Sequence, residues 1–193
     1  MRRVTARVIA ATLLLLPGVA LALPSALEIQ AKIERDSARV VIGEIMSDRT
    51  LGDYVFRSIA RGSLAWLDIA LLLKPAADAG AATLLDHAVG AALQKAPTRV
   101  LPLVDSGTFR PQDACLPRLS DDLPAAQAIK VVRATESVLA RVNDPKLASA
   151  KAKCLAVAAE TRMALERRTQ GERPDARAAD KPQAGGAAAA KGR

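Results

Sequence analysis

Two cysteines, Cys115 in QDACLPRL and Cys154 in AKAKCLAV, and a single histidine, His87, are the side chains best suited to nucleophilic, redox or metal chemistry. Their number and spacing restrict that chemistry. The cysteines stand 39 positions apart, so the C-x-x-C spacing that lowers a thiol pKa in redox catalysts is absent. Zinc takes about four ligands, and two cysteines with a distant His87 do not supply them. Asp86 neighbours His87, but successive residues on a helix do not face each other. General-base work needs a positioned partner and a pocket. Asp121-Asp122 reads as a helix cap rather than a carboxylate pair. No G-x-S-x-G, H-E-x-x-H, phosphate loop, G-x-G-x-x-G or patterned calcium loop occurs. No catalytic residue, metal site or cofactor is therefore assigned, and the chain reads as non-enzymatic.

The fate of the cysteines depends on compartment. MRRVTARVIAATLLLLPGVALA carries Arg2, Arg3 and Arg7, then an apolar run from Val8 interrupted by Pro17-Gly18, and closes on Ala20-Leu21-Ala22. This is the pattern of a secretory signal peptide over residues 1–22, with cleavage after Ala22. Its apolar run is shorter than the about 20 residues a spanning helix needs. A periplasmic or secreted location follows, with no transmembrane segment in the mature chain. An oxidising compartment then lets Cys115 and Cys154 pair as a disulfide.

Charge divides unevenly along the chain. The formal +8 contains three arginines from the leader, and residues 167–193 carry seven basic against three acidic side chains. The stretch between is nearly neutral, with no basic stripe or exposed aromatic platform, so nucleic acid is not an expected partner. Residues 169–193, TQGERPDARAADKPQAGGAAAAKGR, contain no leucine, isoleucine, valine or aromatic residue and read as a disordered basic tail. Weak contact with an anionic envelope surface is the function such a tail suggests.

The remaining chain, 23–168, reads as one helical domain. Half of all residues are apolar but only 2% are aromatic, and the apolar content is mainly alanine, leucine and valine. Such a composition favours helices in close contact. Apolar spacing predicts a helix from Leu27 to Met46, and a second helix opened by a Thr50–Asp53 capping box and stopped at Gly62. SLAWLDIALLLKP predicts a central buried helix in which Trp66 packs. A helix capped by Asp78 follows, with inner stripe Ala81, Leu84, Leu85, Ala88, Val89, Ala92 and Leu93; Thr83, His87, Gly90 and Gln94 form the opposite, solvent-facing stripe. Pro97–Val104 reads as a helical turn, and Asp105–Pro124 as a long irregular segment holding Cys115. Two more helices, the first capped by Asp122 and joined to the second by Asn143-Asp144-Pro145, form an antiparallel hairpin with Cys154 on its buried face.

The expected fold is thus all-α: an irregular antiparallel bundle, or a short helical-hairpin stack, of five to six helices with one disulfide. The run SIARGSLAWLDIALLLKPAADA and the helix after it resemble segments of small helical secreted or periplasmic proteins of proteobacteria. That resemblance implies a helical fold and an envelope location, and brings no activity or site residues. The function expected is a protein-interaction module such as an adaptor, inhibitor or immunity-type partner. Its candidate partner contacts are Phe109, Arg110 and Arg118 on the irregular segment, although Phe109 could equally plug the core. Tail-driven association with an anionic surface is one alternative. An enzyme using His87 and a nearby carboxylate is the other.

Overall fold

The computed structural model describes residues 23–116, 119 and 123–171. The expected signal peptide, Arg118 and Asp121-Asp122 lie outside the described residues, as does the expected tail from 172 onward. Among the described residues the fold is all-α and contains no strand.

Helices α1 (Ala26–Asp36) and α2 (Ala38–Ser47) replace the single helix expected from Leu27 to Met46. The break is at Ser37, whose φ of 82° and ψ of 152° lie in a region nearly reserved for glycine. Periodicity carries through this break because both segments turn their apolar stripe, Ile29 and Ile33 then Val41, Ile42 and Ile45, toward the same core. Lys32 pairs with Glu44 across the turn. A capping box does occur at the start of α1, where Glu28 accepts from the Ser25 amide at 2.6 Å and the Glu28 amide donates to Ser25 Oγ.

Helix α3 (Arg49–Ile59) is capped differently from the expectation. Asp48, not Thr50, accepts from the amides of Thr50 and Leu51 at 2.9 and 3.1 Å. Gly62, at φ 76°, turns the chain out of this helix as its composition predicts. Lys95 and Arg99 donate to the carbonyls of Ala60 and Gly62, satisfying acceptors at that end.

Helix α4 (Leu64–Leu73) packs against α1, α2 and α3, burying Leu67, Ile69, Ala70 and Leu73 completely. One edge stays open at Leu64, Asp68 and Leu72. Trp66 is a packing residue, edge-on to Tyr54 with ring centres 5.6 Å apart. Helix α5 (Ala79–Leu93), capped by Asp78, runs beside α3 and α4. The expected turn after it is a true helix, α6 (Pro97–Asp105), followed by a single turn, α7 (Pro111–Ala114), inside the segment expected to be irregular.

Helices α8 (Ala125–Ala140) and α9 (Ala148–Gly171) form the expected hairpin. The α8 cap position is Pro124, which makes no side-chain cap bond. Asp144 caps the connector by accepting from the Lys146 amide, and Lys151 donates to the Val142 carbonyl at 2.7 Å. Arg162 bridges Glu136 of α8 and Glu166 of α9. Helix α9 carries on through Thr169 to Gly171, past the boundary expected at Arg168. The described chain therefore holds nine α-helices rather than five or six; the extra ones come from the Ser37 break, α6 and α7. None of them is long and apolar enough to cross a membrane.

Candidate functional site

Cys115 and Cys154 are bonded, fully buried, with Cα atoms 5.2 Å apart. Cys154 sits on the inner face of α9 with Ala150 and Ala158. Cys115 ends α7, whose Pro111 supplies a preset first turn. The bond thus fastens the α6–α8 segment to the hairpin.

The opposite side of that segment rests on α5. Gly90 makes this contact possible, since a Cβ there would lie 2.7 Å from the Leu116 carbonyl oxygen and 3.5 Å from that of Asp113. The stripe expected to face solvent is consequently covered from His87 onward, while Thr83 stays exposed. Gly90 is buried, His87 is half-buried, and Gln94 donates to Thr135 Oγ1 on α8 at 2.8 Å. A helix that reads as two-faced is contacted on both faces toward its C-terminal end, and an isolated glycine within an apolar helix is the sequence signal for such an approach.

Phe109 is fully buried and is no surface contact; the core-plugging alternative is the one realised. Its amide donates to the Leu103 carbonyl, which folds the segment back under α6. The Lys74 ammonium lies 5.3 Å from the Phe109 ring centre and donates to Asp86 Oδ1 at 2.6 Å and to the Ala82 carbonyl at 3.3 Å. Lys74 and Asp86 are both largely buried, at 17% and 14% side-chain exposure. The pair ties the end of α4 to α5 and to the ring beneath the segment. Lys74 was legible only as a helix terminator, because nothing local says which carboxylate it meets.

Above this layer is a cleft of about 340 Å³. Thr83, Asp86 and His87 of α5 form one wall; Arg110, Gln112 and Asp113 form the other, with Leu116 and Leu119 at its end. Arg110 Nε donates to Asp113 Oδ2 at 2.6 Å, and this bond holds the guanidinium pKa above its ordinary value, the Asp113 charge adding to it. The Arg110 side chain remains 77% exposed, and Gln112 is exposed beside it.

The polar groups of the cleft are largely committed to holding the fold. Asp86 is paired with Lys74, Asp113 with Arg110, and the Thr83 hydroxyl donates to the Ala79 carbonyl. A general base or nucleophile drawn from these would first have to leave its partner. Exposed Arg110 and Gln112 can instead form directed hydrogen bonds with an approaching surface. Among the described residues no group of three or more His, Cys, Asp or Glu side chains is placed to hold a metal ion. Comparison with family models, curated proteins and solved structures gives no match to this chain.

Proposed function

We propose that this chain is an exported, non-catalytic helical interaction module that meets a protein partner along the edge formed by Arg110, Gln112 and the cleft below them. One observation carries the reading: the segment bearing these residues is fastened on two sides, by the Cys115–Cys154 bond to α9 and by the close approach to Gly90 on α5. A segment ordered in advance loses less conformational freedom on binding, so its exposed polar groups contribute more of their interaction to affinity. The disulfide agrees with an oxidising, envelope location.

The test is capture with crosslinking from the native envelope, comparing wild type with Arg110→Ala/Gln112→Ala. Loss of one stoichiometric partner at unchanged melting temperature supports the proposal. Undiminished capture by the variant rejects this edge as the docking surface. Phe109→Ala is unsuitable as a probe, because emptying a buried aromatic site costs about 3–5 kcal/mol of stability whatever the function.

A further inference from the structure

A second concavity lies on the other side of α5. It is a groove of about 310 Å³ between the end of α2, the outer face of α3 and Leu84. Ile45, Met46, Phe56 and Leu84 supply its apolar surface, and Met46 and Leu84 are 39% and 37% exposed. Past Met46 it continues into a smaller hollow of about 180 Å³ beside Arg39 and Gly43. Leu84 belongs by periodicity to the inner stripe of α5, yet it stays 37% exposed at the edge of this groove.

The rim is where charge selects an occupant. Arg49 and Arg57 line the groove and Arg39 the adjoining hollow, and none of the three has an ion pair or side-chain hydrogen bond. Arg110 pairs with Asp113 and Arg162 with Glu136 and Glu166, whereas Arg61, Arg141 and Arg167 are exposed and, like the groove arginines, without an ion pair; what distinguishes Arg39, Arg49 and Arg57 is their place around apolar hollows. Asp53 lies between Arg49 and Arg57, one turn from each, and pairs with neither. Arg49 and Arg57 stand two turns apart on α3, about 12 Å along its axis.

This pattern disfavours a second copy of the chain. An isologous, antiparallel apposition of α3 centred on Asp53 would set Arg49 against Arg57 and Asp53 against Asp53, and directly opposed like charges are costly. A lipid surface also fits poorly, since the apolar side chains line a hollow instead of projecting from a convex face.

We infer that the groove beside Leu84 receives an amphipathic helix of a protein partner, apolar side chains entering between Met46, Phe56 and Leu84, with carboxylates two turns apart reaching Arg49 and Arg57. This is helix-in-groove recognition with charge complementarity at the rim. It deepens the interaction-module reading and uses a face separate from the Arg110 edge.

The experiment titrates the full chain against a labelled 18-residue helical peptide, with leucines on one face and glutamates two turns apart, and against the same peptide with glutamine for glutamate. The glutamate peptide is expected to bind in the micromolar range and the glutamine peptide at least about tenfold more weakly. Leu84→Asp removes binding. Arg49→Glu/Arg57→Glu loses the glutamate peptide and gains one carrying lysines, a rescue that simple misfolding cannot produce. Arg110→Ala leaves the titration unchanged, so failure here is separable from failure of the Arg110 edge. No binding by about 1 mM peptide, or equal binding of the glutamate and glutamine peptides, overturns the inference. So does Leu84-dependent binding to phosphatidylglycerol vesicles without peptide binding, or self-association abolished by Leu84→Asp.

Discussion

Breaking the Cys115–Cys154 bond tests the structural basis of the candidate site most directly. The bond spans a sequence separation of 39 and closes a loop that includes all of α8 and the start of α9. On the chain-entropy argument such a cross-link restricts the unfolded ensemble by about 4 kcal/mol at 25 °C. That is a large share of the about 5–15 kcal/mol by which domains are stable. For a domain of this size, about 2–4 °C of melting temperature per kcal/mol gives a loss of about 8–16 °C. Two perturbations separate the contributions. Reduction of the wild type removes the cross-link and keeps both sulfurs in the core, whereas Cys115→Ala/Cys154→Ala also removes their packing and should be the less stable of the two. Urea unfolding of oxidised, reduced and double-alanine protein would provide the comparison. The midpoint should fall in that order, and the slope m should rise on reduction as the unfolded chain expands. Oxidised and reduced wild type unfolding at the same midpoint would refute the reasoning, as would a double-alanine variant more stable than reduced wild type. If the Arg110 edge is the docking surface, reduction should also weaken partner capture at temperatures where the protein remains folded.

Gly90→Ala should cost about 1–3 kcal/mol, because its Cβ meets a backbone oxygen that moves only with the whole segment. Gly43→Ala, with nothing within 4 Å and a helical backbone, should instead stabilise by up to about 1 kcal/mol; thermal melts of both variants decide whether the clash or helix propensity dominates. Ser37→Gly should raise stability by about 1 kcal/mol, since relief of about 1–3 kcal/mol of backbone strain exceeds the about 0.5–1 kcal/mol that glycine's freedom costs in the unfolded state. A Ser37→Gly midpoint in urea at or below that of wild type would show the break to be unstrained.

Helix α4, the Gly62 exit and the α8–α9 hairpin were legible because each is written in residues close together in the chain. Caps were legible only in part. Thr50–Asp53 has the form of a capping box, yet Asp48 takes the amides, since several polar residues near a helix start compete and the entering backbone geometry chooses among them. Ser37 carried no signal, because serine has no preference for the conformation it adopts there.

Sequence alone determined the helical class, because apolar spacing reports which side chains favour burial. It left one pairing open within a chain but not whether the bond forms within it; the fold decides that by bringing the Cys115 and Cys154 Cα atoms to 5.2 Å. Tertiary structure decided what covers each buried face. Phe109 looks like a surface contact until the chain folds it under α6, and Gly90 looks solvent-facing until Leu116 lies across it. Lys74 meets Asp86 only when α5 turns back along α4, and Leu84 is left partly exposed because α6 and α7 pack on α5 without closing the groove at Leu84. Periodicity is a local property of the chain; the neighbour across a contact is set by packing among distant segments, and both candidate interaction surfaces arise from that packing.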